Sequence, residues 1–180
     1  MKYLCVFCGS SKGGPAIYAE TARLFGEALA GRGLGLVYGG GHIGLMGILA
    51  DAVLQAGGPV IGIIPRSMVE RELAHEQLTE LHIVETMHQR KALMAERAVA
   101  FAALPGGVGT ADEFFEIVTW RQLRLHSKPI GLLNVAGFFD PLLAWLDRTV
   151  VDGFVRAEHR GLLQVAREPG RLLDLLMEPR

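Results

Sequence analysis

The chain has 180 residues, half of them hydrophobic and 21% charged, with a formal net charge of −1. That length suits one domain, the composition supports a sizeable core, and the charge gives no general pull toward nucleic acid or an anionic membrane. The longest apolar run, 98–104, is seven residues, far short of a membrane span, and the first residues are too short for a signal sequence, so a cytoplasmic location is expected.

Residues 3–8 read as a strand and 9–15 as a loop. Cys5 and Cys8 have C-x-x-C spacing, but an offset of three in a strand puts them on opposite faces, so both read as structural. Residues 16–32 read as a helix, with Ile17, Thr21, Leu24, Phe25, Ala28 and Leu29 on one face and Gly33 closing it. A strand at 34–38, a glycine loop at 39–41 and a helix at 44–56 follow, ended by Gly57-Gly58. The strand 60–64 stops at Pro65, and the charged segment 66–80 reads as a loop with a short helix. Next come a short strand at 82–84, a helix at 87–97 and a strand at 99–104. After a glycine loop at 105–110 come a helix at 111–125, a strand at 130–133, a helix at 138–152 and a capping helix at 169–177.

Strands that are unbroken apolar runs, each followed by a helix, predict a parallel sheet covered on both faces. The expected fold is therefore α/β, a doubly wound, Rossmann-like domain over residues 1–180. The loops 9–14, 39–41, 65–72 and 105–110 would share one edge of the sheet, where such folds bind ligands. Three of the four are glycine-rich, which favours a nucleotide-sized ligand.

In Pro105-Gly106-Gly107-Val108-Gly109-Thr110-Ala111-Asp112-Glu113, three glycines let the backbone approach an anion closely. Thr110 is expected to cap the following helix and to offer its hydroxyl to the same anion. A second glycine pattern, Gly39-x-Gly41-x-x-Gly44, matches a dinucleotide fingerprint. It lacks the acid expected about 20 positions later, and it follows the second strand instead of the first. It reads as close packing and one pocket wall, and no G-x-x-x-x-G-K-[ST] loop exists.

Met87-His88-Gln89-Arg90-Lys91 opens a helix on the same sheet edge. Glu113 and Glu116 lie one turn apart, beside the anion cradle. Two acids there need an offsetting cation, and Arg90 is the candidate. A carboxylate beside an arginine, over a bound sugar phosphate, suits cleavage at the anomeric carbon, where the transition state is positive. His75 and His82 flank Glu76 with no H-E-x-x-H spacing, so no metal site is expected.

With those two motifs, the chain resembles the LONELY GUY (LOG) family of cytokinin riboside 5′-monophosphate phosphoribohydrolases, some of which carry a lysine decarboxylase label. Cys8-Gly9-Ser10-Ser11, Tyr38-Gly39-Gly40-Gly41, Gly44-Leu45-Met46-Gly47, Thr119-Trp120-Arg121-Gln122-Leu123 and Lys128-Pro129 extend the resemblance along nearly the whole chain. It implies a Rossmann-like homodimer that hydrolyses N6-modified adenosine 5′-monophosphates, and often AMP, to the base and ribose 5-phosphate without a cofactor. By motif match, Arg90 and Glu113 would be catalytic. Glu72, Lys91, Gly107, Val108, Gly109, Thr110, Ala111, Asp112 and Thr119 would bind substrate. Ser10, Gly40, Gly41, Met87 and Glu116 would form the pocket wall. The implied partner is a nucleoside monophosphate, with neither nucleic acid nor membrane.

The alternative is a non-catalytic nucleotide or molybdenum-cofactor carrier of the same superfamily, against which Arg90 and Glu113 both argue. Among Lys2, Lys12, Lys91 and Lys128, none has the setting of a pyridoxal-phosphate lysine. The segment Arg124-Leu125-His126-Ser127 departs from the family pattern, where a glycine and a smaller polar run are usual.

Overall fold

The computed structural model describes residues 1–72 and 74–178, apart from the side chains of 70–72. The apolar runs become strands β1 (Lys2–Phe7), β2 (Leu34–Tyr38), β3 (Val60–Pro65), β4 (Glu80–Val84), β5 (Ala100–Ala103), β6 (Ile130–Leu133) and β7 (Leu163–Ala166). The periodic segments become helices α1 (Ala16–Gly31), α2 (Gly44–Gln55), α3 (Arg66–Glu72), α4 (Met87–Arg97), α5 (Val108–Gln122), α6 (Asp140–Val151), α7 (Ala157–Arg160) and α8 (Pro169–Met177). The described strands pair in parallel in the order β4-β3-β2-β1-β5-β6-β7. This is the doubly wound α/β sheet expected from the strand pattern.

Alternation along each strand divides the core. Leu4, Val6 and Cys8 join Phe25 of α1, Leu49 of α2 and Leu172 of α8 on one face. Cys5 and Phe7 join Met94 of α4 and Phe114 and Ile117 of α5 on the other. Cys5 and Cys8 therefore face opposite ways, as the strand period requires, and both are free and buried. Burial pushes both thiols well above their ordinary range, which keeps them protonated and inert.

The strand order reverses beside β1, whose neighbours are β2 and β5. Ligands of open α/β sheets bind at such a switch point. Here the Gly9 N–H donates to Pro105 O at 3.1 Å and joins the two loops that leave it.

Three sequence expectations are corrected. First, the helix of the Pro105–Glu113 motif begins at Val108 with Gly107 as N-cap, not at 111. Thr110 lies inside its first turn, so it does not cap the helix, and no side chain does. Second, that helix ends at Gln122, because Arg124 turns into the left-handed region at φ 61° and the Leu125 N–H reaches back to Trp120 O. Third, β7 and α7 were not expected. β7 is a four-residue edge strand with half-buried Gln164 and Val165, which carries no apolar run long enough to read.

Candidate active site

The first N–H groups of a helix lack intrahelical acceptors and carry the positive end of its dipole. At α4 a capping box closes the helix start, in which Thr86 Oγ accepts from Gln89 N at 3.1 Å and Gln89 Oε1 from Thr86 N at 3.3 Å. At α2 the Gly9 carbonyl accepts from Leu45 N at 3.0 Å and Met46 N at 3.3 Å. Gly44 has φ +65°, and a Cβ there would lie 2.2 Å from Ser10 C. The fingerprint glycines thus serve close packing, and this helix start is already occupied by backbone. The start of α5 is different. Gly107, Val108 and Gly109 are exposed and open to solvent, with no capping side chain. Gly106 lets this turn close, since a Cβ on it would lie 2.1 Å from Thr110 Oγ1.

A cleft of about 270 Å3 lies against that start. Its floor and sides include Ser10, Met87, Arg90, Gly107, Val108, Gly109, Thr110, Asp112 and Glu113. Cys8, Gly9, Met46 and Met68 also line it; the sequence reading did not assign these to the site, although their loops and helices share the sheet edge.

Arg90 is 4% exposed. Its Nη2 donates to Gly39 O at 3.2 Å and stands 4.0 Å from Glu113 Oε1. Among the described residues, its Nη1 meets the thioether sulfurs of Met68 and Met87, each at 3.8 Å. Its Nε–H is buried with no hydrogen-bond partner among the described residues. A buried guanidinium with an unused donor marks a site that awaits a polar group.

Other expected site residues lie outside the cleft wall. Lys91 Nζ sits 2.7 Å from Asp112 Oδ2 and 3.3 Å from Glu116 Oε2, which ties α4 to α5. Burial alone would depress the Lys91 ammonium, but hydrogen bonds to Asp112 and Glu116 outweigh it and hold it above its usual range. Ala111 faces away beside Phe114, and Thr119 is exposed further along α5. Gly40 and Gly41 are buried behind Arg90's seat: Gly40 O accepts from His75 N at 3.0 Å, and Gly41 bridges to Ala74. Glu72, expected to bind substrate, has its side chain outside the described residues.

The family model described as "Possible lysine decarboxylase" matches residues 46–176. The cytokinin riboside 5′-monophosphate phosphoribohydrolase LOG2 of Arabidopsis thaliana is 49% identical over 97% of this chain and 82% of its own length. The cytokinin riboside 5′-monophosphate phosphoribohydrolase LOG of Oryza sativa subsp. japonica is 48% identical over 97% of this chain and 72% of its own. Among solved structures, the molybdenum cofactor binding protein of Rippkaea orientalis superposes with a TM-score of 0.73, covering 97% of this chain and 94% of that one. At 19% identity that likeness speaks for the fold alone. Near-half identity along almost the whole chain, joined to an intact Arg90–Glu113 cleft, carries the assignment: the chain belongs to the LONELY GUY family of cytokinin riboside 5′-monophosphate phosphoribohydrolases.

Proposed function

We propose that residues 1–180 form one catalytic unit that hydrolyses the N-glycosidic bond of N6-modified adenosine 5′-monophosphates, and of AMP. The products are the free base and ribose 5-phosphate. The observation that carries this reading is the Arg90–Glu113 pair, 4.0 Å apart in a cleft that opens on the uncapped start of α5. The 5′-phosphate accepts hydrogen bonds from the Val108, Gly109 and Thr110 N–H groups and is favoured by the helix dipole. The ribose then lies over Glu113. As the C1′–N9 bond breaks, its electron pair leaves with the base and positive charge develops on the sugar. The Glu113 carboxylate stabilises that charge and accepts a proton from the water whose oxygen bonds to C1′. The departing base takes up one proton, so the sum is nucleotide plus water.

Arg90 stands beside the Glu113 carboxylate at 4.0 Å and keeps its Nε–H and Nη1 donors for the sugar or the base. Lys91, paired with Asp112 and Glu116, offsets the acidity of α5 near the phosphate. The same reading carries a cytoplasmic homodimer. The exposed Leu123, Leu125, Trp145 and Phe154 supply apolar surface for a subunit contact, and no helix among the described residues is long and apolar enough to cross a membrane.

Chromatography of reactions with AMP and N6-isopentenyl-AMP tests the reading. Base and ribose 5-phosphate are expected in equal amounts, with release about 10²–10⁴-fold slower in Glu113→Gln and Arg90→Ala. Unchanged release in both folded variants overturns it.

A further inference from the structure

His75 is a buried ionisable side chain that the hydrolysis does not use. It is 6% exposed, and its backbone N–H and both ring nitrogens are engaged. The backbone N–H donates to Gly40 O at 3.0 Å. Ring Nδ1 accepts from Gln77 N at 3.2 Å. That leaves the ring proton on Nε2, which donates to Asp51 Oδ1 of α2 at 3.0 Å. The preceding residue, Ala74, bridges to Gly41. His75 thus joins three parts: its imidazole holds Asp51 of α2 and the Gln77 N–H of its own segment, and its backbone N–H holds the glycine loop at Gly40 O.

That loop is the seat of Arg90. Gly39 O is the carbonyl that receives Arg90 Nη2 at 3.2 Å, and a Cβ on Gly39 would stand 2.0 Å from that nitrogen. Met68, on the α3 that leads to His75, supplies one of the two sulfurs against Nη1 at 3.8 Å. Among the described residues, Arg90 is held on this side by the Gly39 carbonyl and by weak sulfur contacts, so its placement depends on where the loop and α3 stand. We propose that His75, braced by Asp51, is a positioning residue for Arg90, acting through Gly39–Gly41 and α3. Asp51 lies in a solvent-open groove with His42, Glu76 and Gln77, so the brace is built from outside the active cleft.

The inference rests on the reading that Arg90 serves hydrolysis, and two readouts separate the two. The first is turnover of AMP. A misplacement of about 1 Å costs up to about 10²-fold, so His75→Leu is expected to lower kcat about 10- to 100-fold with a smaller change in KM. His75→Gln, whose amide can still donate to Asp51, restores most of the rate. Asp51→Leu matches His75→Leu, and the double variant is no slower than either.

The second readout needs no activity. The Arg90 Nε–H resonance, assigned by its loss in Arg90→Lys, is slowly exchanging in the wild type, exposed or shifted in His75→Leu and Asp51→Leu, and recovered in His75→Gln. Asp51→Leu, altered at the half-exposed partner, decides the matter if His75→Leu does not fold. A wild-type rate and an unmoved Arg90 signal in a folded variant overturn the inference. A wild type that releases no base from any nucleotide overturns the hydrolase reading, while the Arg90 signal still decides the positioning.

Discussion

Gly39 and Arg90 share one space. The guanidinium occupies the position where a side chain at Gly39 would begin, since an added Cβ would lie 2.0 Å from Arg90 Nη2 and 3.3 Å from Met46 Sδ. Gly39→Ala therefore has to displace the arginine or the loop. The expected outcome is base release about 10²-fold slower, with a far-ultraviolet circular dichroism spectrum like that of the wild type. A Gly39→Ala enzyme with full kcat would show that Arg90 can act from another seat.

The glycines at the start of α5 divide into two kinds. Gly106 has no room, with Thr110 Oγ1 at 2.1 Å and Gly9 N at 2.9 Å from a built Cβ, whereas a Cβ on Gly109 meets nothing within 4 Å. Gly109 sits in the first helical turn, so Gly109→Ala gains up to about 1 kcal/mol of helix propensity. If the 5′-phosphate binds at the α5 start as proposed, a methyl there crowds it, so KM for AMP is expected to rise as Tm rises by about 2–4 °C. Gly106→Ala is expected to lower both Tm and kcat. Parallel melting curves and steady-state kinetics check the pair; equal behaviour of the two variants would remove the distinction.

Much of this was legible in the residues, and the gaps have physical causes. The runs at 34–38, 60–64 and 99–104 form strands of a sheet covered on both faces, so they read as unbroken apolar stretches, and their alternation with helical segments exposes them as parallel strands. Arg90 and Glu113 were readable because the motifs 87–91 and 105–113 each lie at the start of a helix on the same sheet edge. The helix boundary at Val108 was not, because Gly107-Val108-Gly109 looks like loop until the N-cap geometry is seen. The Gly39–Arg90 contact joins residues 51 positions apart and leaves no local signal. His75 read as a failed metal ligand for the same reason, since its partners, Asp51 and Gly40, belong to other elements.

Arg124 closes α5 in a conformation that suits glycine. Its φ is 61°, the Arg124 N–H reaches Arg121 O at 3.0 Å, and the Leu125 N–H reaches Trp120 O at 2.9 Å. A side chain in the left-handed region costs about 1–2 kcal/mol, part of which glycine returns through its larger unfolded-state freedom. Arg124→Gly is expected to raise Tm by about 2–4 °C, with turnover of AMP unchanged because the residue is exposed and far along α5 from the cleft. Calorimetry decides it, and a lower Tm would mean that Arg124 makes compensating contacts through its side chain.

His126 makes stability depend on pH in a definite direction. Its Nε2 donates to Ile117 O at 3.0 Å and its Nδ1 accepts from Lys128 N at 3.1 Å, so the folded chain holds a neutral ring. Burial pushes its pKa below the ordinary histidine value, and Arg121 and Lys128 add to this, while the bond to Ile117 opposes it. In the unfolded chain the ring takes its proton near pH 6.5, before the folded ring does. The contribution is therefore complete above that value and is lost as pH falls toward the folded pKa. His126→Asn removes the titrating group but can keep a donor and an acceptor. Urea unfolding at pH 7, 6 and 5 should show the wild type losing stability faster than His126→Asn on acidification. Parallel curves for the two proteins would place the folded and unfolded pKa values together; a wild-type gain on acidification would reverse the sign of the shift.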